Sequence, residues 1–266
     1  MKQGEYIVER LLPAFVERAA VTRGITFRSF SEDWVLRLQR DTTVRYVVGY
    51  QFDHNLSAMS AVATDKVATS TLLSAADVPV VEHILVRSTP HETIPTAALA
   101  ARFSGPFVIK PLDGSGGRGV QIVATTEEAQ HVVLASGEIA WAASPLLDVA
   151  AEYRVILLDE TPLVVYEKTH PVMHHGLKMF NLGMGAHATD MADSHRKEQL
   201  EQLASAAARA LSLRLASIDI VQLRDGSLSV LEVNDGIMME NYARQSAEYN
   251  NRAAQVYDAI VEAMFR

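Results

Sequence analysis

The chain has 266 residues, 48% of them hydrophobic, with 24 Lys and Arg against 32 Asp and Glu and a formal net charge of −8. That length supports one sizeable core or two to three compact subdomains, and the acidic balance argues against a nucleic-acid partner, which needs a basic stripe. No cysteine is present, which excludes disulfides, thiolate metal sites and cysteine nucleophiles. No apolar run reaches the ~18 residues of a membrane-spanning helix, and Glu9, Arg10, Glu17 and Arg18 interrupt the N-terminal segment too early for a secretory signal. The expectation is a cytoplasmic protein without a nucleic-acid or membrane partner.

Ile7, Leu11, Leu12, Phe15, Ala19 and Ala20 recur at helical spacing and predict a helix over 4–22. Short runs at 26–30, 34–38 and 45–49 complete a small α/β unit of about 60 residues. A helix over 65–76, with Thr64 or Asp65 near its N-cap, precedes a strand at 78–83. Helices over 92–102 and 127–135 flank two apolar runs within 107–123, and a strand is expected at 139–143. Alternating strands at 153–158 and 163–167 enclose the turn Asp159-Glu160-Thr161-Pro162. A loop rich in His, Gly and Met spans 169–190, a clear amphipathic helix 197–215, a hairpin 217–233, and a last helix 243–265. Strands and helices without regular βαβ alternation indicate an α+β chain rather than a doubly wound sheet.

The stretch Phe107-Val-Ile-Lys-Pro-Leu-Asp-Gly-Ser-Gly-Gly-Arg-Gly-Val-Gln-Ile-Val123 sets Lys110 at the end of one apolar run and Arg118 inside a glycine-rich loop. Glycines permit positive φ and close backbone approach, so such a loop can turn N–H groups toward a phosphate. Gly114, Gly116 and Gly119 satisfy G-x-G-x-x-G, but Val120, Ile122 and Val123 read as a strand where the dinucleotide fingerprint requires a helix. Val120-Gln121 stands where a Walker loop needs Lys-Ser/Thr, and a kinase loop places its lysine after the glycines, not before. A strand–loop–strand phosphate flap remains, with a plain glycine turn as the alternative.

The second signal is the hairpin around Asp225-Gly226. With those two residues as the turn, Arg224 faces Ser227 and Asp219 lies opposite Glu232. Two carboxylates facing each other across strands repel; with Asn234 on the same face they form a hard-oxygen set suited to Mg²⁺, whose charge offsets the repulsion. The alternative is a solvated hairpin face, and a one-residue slip would separate the pair.

On these residues, in this order, the chain resembles the ATP-grasp superfamily over roughly 48–242, closest to carboxylate–amine ligases of the RimK, glutathione synthetase and cyanophycin synthetase type. Asp65-Lys66 is similar to the family's first nucleotide lysine, and Val108 to Val120 to its second lysine and mobile flap. Ser144-Pro145-Leu146-Leu147 falls at the adenine hinge, with Ser144 where many relatives carry Glu or Gln. Glu152-Tyr153-Arg154-Val155 resembles the acid-x-Arg of the family, Lys168 a further basic catalytic residue, and Lys178 with Asn181-Leu182-Gly183 the substrate-side motif. Asp219, Glu232 and Asn234 resemble its Mg²⁺ triad.

The resemblance implies an ATP-grasp fold of two mixed α+β subdomains clasping a nucleotide. Residues 1–64 form a short N-terminal α/β region, 65–143 the small lid subdomain and 144–266 the large subdomain with the metal site. It implies an ATP-dependent ligase forming C–N bonds between small molecules through an acylphosphate. An ATP-grasp kinase or a non-catalytic ATP-binding module are the alternatives. Arg154 and Lys168 are the catalytic candidates. Lys66, Lys110, Ser115, Gly116, Gly117, Arg118, Ser144, Leu146 and Glu152 are the ATP-binding ones. Asp219, Glu232 and Asn234 would hold Mg²⁺, with Mn²⁺ able to substitute. Lys178, Asn181, Glu240 and Asn241 are substrate-side candidates, and a homodimer is a family-level expectation. Separately, His170, His174 and His175 cluster in the 169–190 loop, where a structural or substrate-lining role is favoured over zinc. Met238 and Met239 suit either the acceptor site or core packing.

Overall fold

The computed structural model describes residues 9–87, 96–114, 116–137 and 140–266. Helix α1 (Leu12–Val21) begins later than the apolar pattern suggested, with a Pro in its first turn; the expected residues 4–8 lie outside the described ones. A meander follows, β1 (Thr26–Phe30), β2 (Val35–Arg40), β3 (Thr43–Val48) and β4 (Gln51–Phe52), in sheet order β1-β2-β3-β4. Helix α2 (Ser57–Thr64) was not expected: its apolar stripe is short, Met59, Val62 and Ala63, and only Ala63 is fully buried. In α3 (Lys66–Ala75) the Asp65 carboxylate caps the helix by accepting the N–H groups of Val67 and Ala68.

The run at 78–83 is not a strand of a sheet. Val80 makes an isolated parallel bridge to Val230, and Pro79, with no N–H, only accepts from Val230. The sheet that follows has the order β5-β8-β6-β7. Its strands are β5 (Ile84–Arg87), β6 (Phe107–Pro111), β7 (Gln121–Val123) and β8 (Ala140–Pro145), with helices α4 (Thr96–Arg102) and α5 (Thr126–Ser136) between them in the chain; the expected helix residues 92–95 lie outside the described ones. One face of it packs Phe107, Ile109, Trp141 and Ala143 against Leu99, Ala129 and Val133 of the helices. By strand alternation the opposite face carries Val108, Lys110 and Ser144, with Val108 paired to Ser144 across the ladder.

The third sheet, β13-β10-β9-β14-β15, contains β9 (Val149–Leu158), β10 (Thr161–Thr169), β13 (His187–Asp190), β14 (Leu215–Leu223) and β15 (Leu228–Asn234). Between β10 and β13 the expected loop contains a hairpin, β11 (Val172–His174) and β12 (Leu177–Met179). Helix α6 (Ser194–Ala210) stops short of 215 because Ser212 takes φ 51 and Leu215 already opens β14. Short α7 (Glu240–Ala243) is separated from α8 (Ala247–Ala263) by Ser246, which caps the latter through the Tyr249 N–H.

Alternation along β9 explains the layering. Tyr153, Val155 and Leu157 point to one face and join Leu200, Ala204, Ala207 and Ala208 of α6. On the other face Ile156 and Leu158 belong to a second core with α1, α8 and the N-terminal meander. In that core Phe15 and Tyr257 stack with ring centroids 5.5 Å apart. Each fully buried Leu or Phe there contributes ~1.5–3 kcal/mol of transfer free energy. The N-terminal meander therefore shares a core with the C-terminal helix. It also reaches the end of β15, where Gln51 bridges Gly236 and the Ile237 N–H donates to Tyr50.

Candidate active site

Further along β9, the face that is apolar at Ile156 and Leu158 becomes charged. Cross-strand partners place Tyr166, Arg154, Asp219 and Glu232 in one row across β10, β9, β14 and β15. Glu152 and Lys168 are paired one step along the same face, and Ser217 and Asn234 one step the other way. This row and the polar face of the β5–β8 sheet enclose one cavity of about 660 Å³, lined also by the glycine loop and the β11–β12 hairpin.

The carboxylate pair is where the hairpin arithmetic placed it, by a different route. The Leu223 N–H donates to Ser227 and the Gly226 N–H to Leu223, a three-residue turn with Gly226 at φ 86. That shifts the upper ladder to Gln222↔Leu228, Val221↔Ser229 and Ile220↔Val230. A bulge at Leu231 then restores Asp219↔Glu232. The same bulge turns both Leu231 and Glu232 to the cavity.

Charge is densely paired. Arg154 donates to both Asp219 oxygens, Nε to Oδ1 at 2.7 Å and Nη2 to Oδ2 at 2.6 Å. Lys168 Nζ lies 2.5 Å from Glu152 Oε1 and 2.9 Å from Asp219 Oδ1. Burial alone would raise the Asp219 carboxyl, but Arg154 and Lys168 outweigh it and pull it down to about 2. Burial dominates at Glu152 and raises it despite Lys168. Lys66 Nζ donates to Leu112 and Gly114 of the glycine loop at 3.1 and 2.6 Å and lies 3.3 Å from Glu232, so it ties the loop to β15. Lys110 is lowered to about 8, mainly by burial and further by Lys66, with Glu232 opposing.

Lys66, Lys110, Gly116, Gly117, Arg118, Ser144, Leu146, Glu152, Arg154, Lys168, Lys178, Asn181, Asp219, Glu232, Asn234 and Asn241 all line this cavity. Ser115 lies outside the described residues. Lys178 sits at its rim, donating to the Val149 carbonyl at 3.3 Å. Asn181 Oδ1 accepts the Gly183 N–H at 2.8 Å and shapes the turn beneath the loop.

Glu240 is not brought to the cavity. Its side chain is buried and Oε1 accepts the Leu12 N–H at 3.4 Å, at the positive end of α1. Adjacent helical residues point ~100° apart, so Asn241 faces the cavity and Glu240 the N-terminal core. Met239 packs in that core while Met238 lines the cavity. The His174 and His175 rings meet at 4.2 Å, and His170 meets His187 at 5.4 Å. Among the described residues no three His, Cys, Asp or Glu side chains gather for a metal.

Asp219, Glu232 and Asn234 do offer two carboxylates and an amide oxygen from adjacent strands on one face. That donor set fits the hard-oxygen chemistry of Mg²⁺. Sequence reasoning missed Tyr166, Ser217 and Tyr242 around the site; period-two spacing from Lys168 and Asp219 was the available signal for the first two.

Residues 47–143 match the family described as sugar-transfer associated ATP-grasp. Among solved structures, D-alanine–D-alanine ligase from Bacillus anthracis aligns with a TM-score of 0.60 at 18% identity, over 77% of this chain and 67% of that one. The D-cycloserine synthetase DcsG aligns at 0.56 and 25% identity, over 75% and 70%. A bifunctional glutathione synthetase from Pasteurella multocida aligns at 0.62 and 17% identity, over 96% of this chain but 44% of that one. No curated protein matches the chain in sequence. The chain has the ATP-grasp fold, with the mixed α+β construction expected from its sequence. The family description that it matches does not name the RimK-type ligases.

Proposed function

We propose that this chain is an ATP- and Mg²⁺-dependent carboxylate–amine ligase that activates a small carboxylate as an acylphosphate. The observation that carries this reading is the charged row Arg154–Asp219–Glu232, flanked by Lys66, Lys110 and Lys168 over a single cavity. The names of the D-alanine–D-alanine ligase and glutathione synthetase that share the fold support it. In this reading 65–143 is the lid and 144–266 the base of the clasp.

A carboxylate approaching a triphosphate must overcome repulsion between like charges, so electrostatic clamping carries the catalysis. Lys66 and Lys110 hold the α/β phosphates, while Val108, Ser144 and Leu146 border the base. The Gly114–Gly119 loop covers the β/γ phosphates and excludes water. Arg154 and Lys168 exchange Asp219 for the transferring phosphoryl group, which frees Asp219 to join Glu232 and Asn234. Bound there, Mg²⁺ supplies charge neutralisation across the phosphate oxygens. The phosphoryl group leaves ADP for the substrate carboxylate, the amine attacks the acyl carbon, and phosphate departs.

Gly117 has φ 77, and a Cβ there would lie 2.3 Å from Met179 Cε. The Met179 methyl can swing aside, so the positive φ is the main obstacle: Gly117→Ala should strain the loop and weaken ATP binding ~10-fold. Gly226→Ala, also at positive φ (86) but in open space, should lower stability by ~1 kcal/mol and leave affinity unchanged. Calorimetry and thermal melting of both variants check this.

A phosphate-release screen over carboxylates, with and without amines, tests the reaction itself. Release requiring both substrates, with a condensed product by mass, supports ligation. A stable phosphorylated acid would replace ligation with kinase activity. ATP binding without release would favour a binding module.

A further inference from the structure

His83 lies behind the two phosphate-side lysines and belongs to none of the motifs above. It follows α3 and precedes β5, and the residue is 4% exposed. The backbone there is anchored: the His83 N–H donates to Ser70 Oγ at 3.2 Å. Its Nδ1 lies 2.9 Å from the Val81 carbonyl. A carbonyl only accepts, so Nδ1 carries the hydrogen and Nε2 presents a lone pair. Among the described residues that Nε2 has no hydrogen-bond partner, an uncommon condition for a buried acceptor.

The surroundings show what could satisfy it. His83 borders a second, small cavity together with Lys66, Thr69, Ser70 and Glu232. That cavity offers about 10 Å³ to the centre of a water-sized sphere, near the room one water requires. The polar wall supplies the two to four partners that a buried water needs. The imidazole is neutral, held down to about 3 by burial first and then by Lys110 and Lys66. A neutral ring can accept beside two ammonium groups where an imidazolium would repel them.

We propose that His83 is a positioning residue for the phosphate-binding lysines, accepting at Nε2 from a single buried water that in turn holds the Lys66 ammonium. Among the described residues Lys66 is otherwise set by the Leu112 and Gly114 carbonyls and Glu232, which belong to a glycine-rich loop and to a proposed metal ligand. In the proposed mechanism both change partners when nucleotide binds. The water-linked histidine gives the ammonium a fixed reference on α3 and its following segment. The proposal rests on reading Lys66 as a phosphate lysine, and its test separates the two.

The experiment measures ADP and adenosine binding by calorimetry to the full chain, as wild type, His83→Leu and His83→Gln. A lysine-positioning role predicts that His83→Leu weakens ADP ~10-fold while adenosine changes less than ~2-fold, since only ADP meets the lysines. His83→Gln, which returns an acceptor near the Nε2 position, should recover most of the ADP affinity. Unchanged ADP affinity in His83→Leu, or equal losses for ADP and adenosine, would overturn the proposal and leave the nucleotide site standing. Wild-type protein that binds no ADP would remove both. Should His83→Leu fail to fold, a high-resolution crystal structure of the wild type decides: a water within ~3.2 Å of Nε2 supports the proposal, and a dry pocket refutes it.

Discussion

Glu232→Gln should abolish ATP turnover and leave the protein folded, whereas Asp219→Asn should lose both activity and much of the stability. The two carboxylates face each other across the same pair of strands, yet their surroundings differ. The Glu232 side chain is 29% exposed and its ion pair to Lys66, at 3.3 Å, is loose. Removing its charge should cost less than neutralising Asp219, because Glu232 is partly solvated and buried Lys66 keeps the Leu112 and Gly114 carbonyls as acceptors. Its loss from the metal set should lower turnover by ~10³-fold or more. Asp219 is 6% exposed and accepts from Arg154 through both oxygens, with Lys168 at 2.9 Å. Neutralising it leaves buried Arg154 without its carboxylate and Lys168 with Glu152 alone, which costs ~3–5 kcal/mol. Urea unfolding and phosphate release on both variants read the contrast. Equal destabilisation of the two would contradict the charge assignment.

The acid limb of the stability curve gives the same information in wild-type protein. Asp219 titrates at about 2, below its ordinary 3.8. A depressed folded value contributes stability that is present above the unfolded value and lost as pH falls from about 4 toward 2. Glu152, raised by burial, acts in the opposite sense. Asp219→Asn should flatten that part of the limb, and denaturant melts at stepped pH measure it.

Lys110→Met should make the nucleotide-free protein more stable while removing nucleotide affinity. Burial lowers Lys110 from 10.5 to about 8, so at pH 7 the folded state holds an ammonium in surroundings that disfavour charge. For a base with a depressed folded value, the charged form is the destabilising one below about 8, and deleting the charge relieves it. The gain is on the order of 2 kcal/mol, less than the full shift because Lys110 is partly exposed and solvent screens its charge. A phosphate brought to the same ammonium reverses the balance, so ATP affinity should fall ~10²-fold in the variant. Melting with and without ATP checks both halves. A lower melting temperature with binding intact would contradict the assignment of Lys110 to a phosphate.

Much of this was legible in the sequence because chain order and strand period carry it. Phe107–Val123 is a strand, a glycine loop and a strand, and β6 pairs with β7 as that pattern requires. Asp65 caps α3 and places Lys66 at its first turn. The facing of Asp219 and Glu232 was anticipated through a two-residue turn that the chain does not use. The three-residue turn displaced the register, and the bulge at Leu231 displaced it back.

What stayed hidden depends on contacts distant in sequence. Glu240 and Asn241 are adjacent and equally polar; only the packing of α7 against the start of α1 separates the buried one from the one facing the cavity. The partner of Arg154 could not be read from 152–155, where Glu152 is the near carboxylate. The β9–β14 register gives it Asp219 instead. His83 sits in an extended run that looked like a strand, and its importance arises from the fold bringing Lys66 and Lys110 to the same spot.

The central claim is that the β14–β15 carboxylates and the lysines above them form one metal–nucleotide site. The most direct measurement is calorimetric titration of ADP in the presence and absence of Mg²⁺, on wild type and Glu232→Gln. The expected result is wild-type binding that tightens ~10-fold or more with Mg²⁺, and a variant in which that Mg²⁺ enhancement disappears. Wild-type affinity that ignores Mg²⁺, or an enhancement that survives in Glu232→Gln, would contradict it.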